Sequence, residues 1–186
     1  MTKNGILCEV NEKRVYLDPK KTDLNTINFV SHAHSDHLPS KNGGTILSSI
    51  ETSEISDLRG FTMENHVESI DGFSLIDSGH VLGSKGLLFD DIFYTGDICT
   101  RDRGFLKAAK IPSCKTLITE CTFGLPEFKF PKMQEIENYV NQLISDLYSK
   151  GVPVILMGYQ LGKAQTITQL FGHWDPLYLH DSIKEM

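Results

Sequence analysis

The sequence predicts an α/β protein, and three observations support this. Short β-rich runs separated by turn residues fill most of residues 6–121. Apolar residues then recur at helical spacing between residues 133 and 147. An apolar run over residues 152–157 lies between that segment and a second helical pattern, which indicates the start of a βαβ-type layer. We therefore expect a β-rich first domain over residues 1–124 and a helix–strand–helix segment over residues 125–186.

The predicted first domain opens with a β-hairpin. Residues 6–10 and 15–17 are β-rich and flank a polar turn at residues 11–13. Further strands are predicted over residues 26–31, 45–48, 73–77, 87–95 and 115–121, with a hairpin turn at residues 90–91. The last of these runs has a pattern typical of a buried strand, so we expect it inside a sheet.

The second part begins with a long amphipathic pattern. Pro131 occupies a favourable first helical position, and Lys150 with Gly151 supplies a C-terminal stop. The apolar face comprises Met133, Ile136, Val140, Leu143, Ile144 and Leu147. Residues 152–157 predict a buried strand, residues 161–171 a second helix and residues 177–179 a final short strand.

Composition excludes several classes of protein. The 186 residues are 40% hydrophobic and 23% charged, which is typical of a globular protein and not of a disordered or fibrous one. A net charge of −6 gives no general surface for polyanions, so any nucleic-acid site must be local. The four cysteines form no CxxC pair, and no apolar run is long enough to span a bilayer. We expect a cytoplasmic protein with reduced thiols and no membrane partner.

The strongest chemical signal is the hexapeptide HAHSDH at residues 32–37. Residues two apart in an extended segment project to the same side, so His32 and His34 can face one ion. The turning chain then directs Asp36 and His37 towards another. Imidazole nitrogen and carboxylate oxygen form the ligand set of a catalytic zinc site. The hexapeptide therefore predicts a metal site.

Two later segments can supply the remaining ligands. His80 lies in the glycine-flanked segment DSGHVLGS, and Asp97 follows a predicted strand in YTGDI. Each segment alone is a weak signal, since an aspartate after glycine is more often a turn former. Beside the hexapeptide they gain weight, because two ions need a bridging carboxylate and the first needs a third nitrogen.

The motifs HAHSDH, SGHVLGS and YTGD resemble, in this order, the metal motifs of the metallo-β-lactamase fold. The segments ITECTFGLP and YQLGKAQ are similar to those of the β-CASP nucleases, which include mRNA 3′-end processing factors and DNA-ligase-associated exonucleases. The match runs from about residue 17 to residue 180. The resemblance implies a metallo-β-lactamase αββα sandwich followed by the start of a β-CASP α/β unit.

The resemblance also implies a site for two zinc ions. Its ligands would be His32, His34 and His80 on the first ion, Asp36 and His37 on the second, and Asp97 between them. Asp36 would also position the attacking water and accept its proton. Glu120 matches the acidic residue that opens the β-CASP signature, where it is expected to orient the metal-site loops.

Three basic residues are candidates for contacting a nucleic-acid backbone. Arg101 and Arg103 lie in a basic stretch just after Asp97, which could equally be a solvated loop. Lys163 opens a predicted helix, where it could attract a phosphate or serve only the helix end.

The family's chain continues beyond the helix that contains Lys163, and its later part supplies a further histidine for the second metal. We therefore expect either a chain truncated within the β-CASP portion or a short form completed by a partner. Exposed sheet edges would then favour a homo-oligomer or a partner chain.

The predicted function is a zinc-dependent phosphodiesterase acting on DNA or RNA, of the mRNA 3′-end processing or exonuclease type. One alternative is a weak or inactive nucleic-acid-binding subunit of a processing complex. Another is a small-molecule hydrolase of the same fold, such as a thioesterase or lactonase, against which the two C-terminal motifs argue.

Overall fold

The structure is a computed structural model that describes residues 4–186. The chain divides into two compact units. The first contains the residues up to Asp102 together with Leu106–Glu120, and the second contains Arg103–Phe105 with Cys121–Met186.

A five-stranded mixed sheet begins the first unit. Its spatial order follows the chain: β1 (Ile6–Val10), β2 (Lys13–Leu17), β3 (Ile27–Phe29), β4 (Thr45–Leu47) and β5 (His66–Val67). The pair β1–β2 is antiparallel and the later pairs are parallel. The predicted first hairpin is confirmed: Val10 pairs with Lys13, and Asn11 and Glu12 between them have φ of 47° and 67°. Positive φ at both turn positions suits the right-handed twist of the strands.

The second sheet of this unit has four strands. They are β6 (Phe73–Asp77), β7 (Lys85–Phe89), β8 (Ile92–Tyr94) and β9 (Thr116–Ile118), in that spatial order. The first three are antiparallel neighbours, and β9 runs parallel to β8. The predicted hairpin turn is confirmed, since Phe89 pairs with Ile92 across residues 90–91.

One hydrophobic core contains residues of both sheets. Its buried members are Val15, Leu17, Phe29 and Leu47 from the first sheet, and Leu87, Phe89 and Tyr94 from the second. Phe29 and Tyr94 meet edge to face, with ring centroids 6.2 Å apart. The first unit is therefore a mixed α/β structure in which two sheets share a core, consistent with the metallo-β-lactamase fold.

The five-stranded sheet is buried on both faces at its centre. Leu47 belongs to the core between the sheets, whereas its neighbour Ile46 packs in a separate cluster with Val30 and Met63. Successive strand residues point to opposite faces, so both faces here are apolar.

Helix α1 (Ile50–Leu58) follows β4 and lacks the apolar periodicity that would have predicted it. Its buried positions are Thr52, Ser53, Ile55 and Ser56, most of them small and polar. Ser49 begins the helix by accepting a hydrogen bond from the Thr52 backbone N–H at 3.1 Å.

The second unit contains α2 (Met133–Tyr148), α3 (Lys163–Phe171) and α4 (Asp181–Lys184). The two longer helices confirm the helical patterns, with corrected starts. Pro131 is not the first helical residue, because the N-cap is Lys132. The second helix begins at Lys163 rather than at residue 161, because Gly162 has a φ of 91° that no helix accommodates.

Four strand predictions were wrong in whole or in part, and the first is the run at 26–31, which is a strand only over Ile27–Phe29. Within residues 4–186, neither residues 152–157 nor residues 177–179 form a strand. An apolar run becomes a strand only when a neighbour accepts its backbone hydrogen bonds, and these two runs have no such neighbour. The run at 115–121 is a strand only over Thr116–Ile118, and it lies at a sheet edge with Leu117 exposed rather than buried.

Candidate metal centre

The hexapeptide follows β3 closely and contains a turn. His32 is fully buried, directly after the β-sheet core residues. The backbone N–H groups of His37 and Leu38 both donate to the His34 carbonyl, at 3.0 and 3.2 Å. This turn changes the direction of the chain between His34 and His37, so the two side chains do not continue the alternation of the strand.

His80 lies in a loop that closes around the hydroxyl of Ser84. The backbone N–H groups of His80 and Val81 donate to this hydroxyl at 3.1 and 3.0 Å, and the hydroxyl donates to the Val81 carbonyl at 2.7 Å. The Gly83 carbonyl accepts from the hydroxyl of Ser49, at the start of α1, at 2.6 Å. The polar end of α1 therefore positions the loop that contains His80.

Asp97 follows β8 in a turn that contains Gly96. Gly96 has a φ of 56°, and a Cβ there would lie 2.6 Å from the Ser31 Cβ. The carboxylate of Glu120 accepts the backbone N–H of Ile98 at 2.9 Å. Glu120 thus contacts the backbone next to Asp97.

Four side chains from these three segments converge on one point. Nε2 of His32 lies 2.9 Å from Nδ1 of His34, and Nε2 of His80 lies 3.2 Å from the same atom. Oδ2 of Asp97 lies 3.3 Å from the His80 nitrogen and 3.8 Å from that of His32. These four ligand atoms all lie within 4.8 Å of one another, so the group could hold a metal ion.

A second set of donors faces the other oxygen of Asp97. Nε2 of His37 lies 3.5 Å from Asp97 Oδ1 and 3.8 Å from Asp36 Oδ2. The Asp36 side chain is 80% exposed, whereas that of His37 is 18% exposed. Asp97 thus stands between two donor sets and directs one oxygen to each.

Asp18 belongs to the site and was not predicted from the sequence. Its side chain is 8% exposed. Oδ2 accepts from Nδ1 of His37 at 2.8 Å, the hydroxyl of Tyr94 at 2.8 Å and the hydroxyl of Ser31 at 2.7 Å. Asp18 lies at the end of β2 before a proline, where an aspartate is ordinarily explained as a turn former, so no spacing in the sequence marked it.

The electrostatics of the histidines differ sharply. Burial lowers the pKa of His32 far below its usual range, and the neighbouring histidines lower it further. Burial also lowers the pKa of His37, but the hydrogen bond and charge of Asp18, helped by Asp97 and Asp36, outweigh it and raise the pKa to about 9. His32 is therefore held in the neutral form that a metal ligand requires.

Opposing effects act on the pKa of the Asp97 carboxyl group. Burial raises its pKa, His37 lowers it, and the neighbouring carboxylates of Glu120, Asp36 and Asp18 raise it again. A cation between Asp97 and the histidines would relieve this crowding of acidic groups.

The donor set fits zinc by its chemistry. Three imidazole nitrogens and one carboxylate oxygen are ligand types that zinc favours. The other ring nitrogen of His32, Nδ1, lies 2.9 Å from the hydroxyl of Ser31, the kind of contact that orients metal-binding histidines in general.

The predicted substrate contacts are placed as follows. Arg101 is exposed in the first unit, and Arg103 is half-buried in the second. Lys163 begins α3, where its Nζ lies 4.8 Å from the centre of the Tyr159 ring. The segment described at 4–186 contains no helix that is both long and apolar enough to cross a membrane.

Fold and site together define a class: a two-sheet α/β protein with a histidine–aspartate group that could hold a metal ion. No protein-family model matches the chain. It is 31% identical over 156 residues to a probable DNA ligase of Opitutus terrae. This match covers 75% of this chain and 15% of that protein. It is 29% identical over 102 residues to transcription termination factor FttA of Lokiarchaeum sp., covering 50% of this chain and 16% of that factor.

A third relative is endoribonuclease YSH1 of Kluyveromyces lactis, 34% identical over 101 residues, with 51% of this chain and 13% of that enzyme covered. The chain spans less than a fifth of the length of each of these three proteins. The relatives are β-CASP members of the metallo-β-lactamase family, and this chain is similar to that family over the matched residues. The family resemblance predicted from the sequence motifs is confirmed.

Proposed function

We propose that this chain forms the metal-binding part of a zinc-dependent nuclease, a phosphodiesterase of DNA or RNA of the mRNA 3′-end processing or exonuclease type. The observation that supports it most is the position of Asp97, whose two oxygens face two different donor sets. Relatives named as an endoribonuclease and as a transcription termination factor support nucleic acid as the substrate class.

The domain assignment belongs to this proposal. We assign residues 1–124 to an αββα metallo-β-lactamase domain and residues 125–186 to the start of a β-CASP unit. The shared core of the two sheets supports the first assignment, and the helices α2 and α3 support the second. Association with a second copy or with a partner chain stays a prediction, favoured by the exposed edge strand β9.

Two zinc ions would occupy the site. The first would take His32, His34, His80 and Asp97, and the second would take His37, Asp36 and Asp97. Zinc in such a site supplies a nucleophilic water at neutral pH and offsets negative charge on a phosphate group.

Residues of this chain would position the attacking water, accept its proton and bind the substrate. Asp36 is the most exposed of the acidic donors, so its carboxylate can face a substrate, position a water and accept its proton. Glu120 is a positioning residue in this scheme, because its carboxylate contacts the backbone of Ile98 rather than the Asp97 oxygens. Arg101, Arg103 and Lys163 would bind the phosphate backbone.

The test combines metal content with cleavage. We expect the purified full chain to contain zinc by mass spectrometry and to cleave labelled single-stranded DNA or RNA. Asp97→Asn should lower the zinc content and reduce cleavage by at least about 100-fold, because one amide oxygen cannot serve both donor sets.

The matched control is Asp71→Asn, the same chemical change at an exposed position, which should leave zinc content and cleavage unchanged. Zinc bound without cleavage of any nucleic acid would favour the non-catalytic subunit. Hydrolysis of a thioester or lactone without nuclease activity would favour the small-molecule hydrolase. A chain that binds no zinc would contradict the proposed site.

A further inference from the structure

Ser31 lies between the buried carboxylate of Asp18 and the first histidine of the site. Its hydroxyl is 2.7 Å from Asp18 Oδ2 and 2.9 Å from Nδ1 of His32. Its backbone N–H donates to Asp18 Oδ1 at 2.7 Å. Ser31 is 1% exposed and His32 is fully buried, so water does not compete for these contacts.

The direction of these hydrogen bonds follows from which of the three side chains can donate a proton. A carboxylate only accepts, and a serine hydroxyl has one proton to donate. Since the hydroxyl of Ser31 donates to Asp18, it can only accept from His32. Nδ1 of His32 must then carry the ring proton, which leaves the lone pair on Nε2, the atom that faces His34 and Asp97.

The same carboxylate orients the other donor set directly. Nδ1 of His37 donates to Asp18 at 2.8 Å, which leaves Nε2 of His37 facing Asp97 Oδ1 at 3.5 Å. Asp18 therefore orients one histidine of each set, His37 directly and His32 through Ser31.

The hydroxyl has little room to take another position. A Cβ on Gly96 would lie 2.6 Å from the Cβ and 2.8 Å from the Oγ of Ser31, so the glycine backbone packs closely against this side chain. The absence of a side chain at residue 96 lets the Asp97 turn approach Ser31, and that close approach confines the hydroxyl.

We propose that Ser31 is a positioning residue: its hydroxyl relays the Asp18 carboxylate to His32 and holds that imidazole as the Nδ1–H tautomer with Nε2 aimed into the site. The relay rests on the proposed function only for the identity of the metal. The tautomer of His32 is a property of the metal-free chain.

Two measurements test the relay. Long-range ¹H–¹⁵N correlation spectra of the metal-free chain should show His32 protonated at Nδ1. In Ser31→Ala this preference should weaken, and the zinc dissociation constant from chelator competition should rise about 10- to 100-fold, the usual effect of removing a partner behind a metal-binding histidine. Ser31→Ala adds no atoms next to Gly96.

The matched control is Ser56→Ala, which removes another fully buried serine hydroxyl, one that donates to the Ser53 carbonyl in α1. It should leave the His32 tautomer and the zinc affinity unchanged. Protonation of His32 at Nε2 in the native chain would overturn the relay, as would a Ser31→Ala zinc affinity equal to that of Ser56→Ala. If Ser31→Ala does not fold, the spectrum of the native chain still decides. A chain with the Nδ1–H tautomer that binds no zinc would refute the proposed function and leave the relay standing.

Discussion

At the scale of the residue, Asp18 has the densest set of partners near the site. Asp18→Asn should lower the free energy of unfolding of the metal-free chain by about 2–4 kcal/mol, because in either orientation its NH₂ group would replace a carboxylate oxygen that now accepts hydrogen bonds. Asp18 has a φ of 42°, a conformation that asparagine tolerates as well as aspartate. Urea denaturation in chelator would therefore report the lost hydrogen bonds rather than backbone strain.

Asp71→Asn provides the comparison for this measurement, since Asp71 is exposed. It should change the free energy of unfolding by less than about 0.5 kcal/mol. Equal effects of the two substitutions would show that the buried carboxylate contributes nothing beyond an exposed one.

The residues of the site differed in how readily the sequence revealed them. The hexapeptide alone indicates a metal site because its successive donors are only one or two positions apart. His80 and Asp97 gained weight only beside it. Asp18 and Ser31 gave no signal, since their role depends on contacts that a single sequence does not display: Asp18 meets Tyr94 across a separation of 76 positions.

At the scale of the element, the start of α1 and the His80 loop are packed against each other at Gly83. Gly83 has a φ of 76°, and a Cβ there would lie 2.7 Å from the Glu51 Cβ and 2.9 Å from the Thr52 nitrogen. Gly83→Ala should destabilise the chain through both backbone strain and overlap, and should weaken zinc binding because the loop holds His80.

Gly60→Ala separates these two causes. Gly60 has a φ of 82° with no atom within 4 Å of a Cβ, so the substitution adds backbone strain alone, about 1–2 kcal/mol. We expect Gly83→Ala to lose about 1–3 kcal/mol more than Gly60→Ala in urea denaturation. Equal losses of unfolding free energy in the two variants would show that α1 does not pack closely against the His80 loop.

Elements with regular apolar spacing were predicted well, and those without it were not. The α2 pattern is confirmed apart from its first residues, because its apolar residues recur at helical spacing. Helix α1 was missed because its buried face is mostly serine and threonine. The apolar run at 152–157 was predicted as a strand, yet a strand also requires a hydrogen-bonding neighbour, which the sequence pattern cannot supply.

At the scale of the whole molecule, metal removal should lower stability. An ion that binds the folded chain and not the unfolded one adds about 2.7 kcal/mol when its free concentration is 100 times the dissociation constant. We expect the melting temperature of the full chain to fall when a chelator removes zinc and to recover when zinc is restored.

Asp97→Asn is the informative variant for this effect, since Asp97 faces both donor sets. Its melting temperature should respond less to zinc than that of the native chain. A native chain whose melting temperature does not respond to zinc would show that the histidines and Asp97 hold no ion in the folded state.

The sequence by itself determined the family resemblance and the types of donor atom in the candidate site, because short motifs preserve both. The tertiary structure decided which donors meet. His34 and His80 are separated by 46 positions, yet their nitrogens lie 3.2 Å apart. They meet because segments from both sheets end at one place, and the shared core places those ends together. Packing also buried Asp18, and the low dielectric there strengthens the hydrogen bonds by which it orients His37 directly and His32 through Ser31.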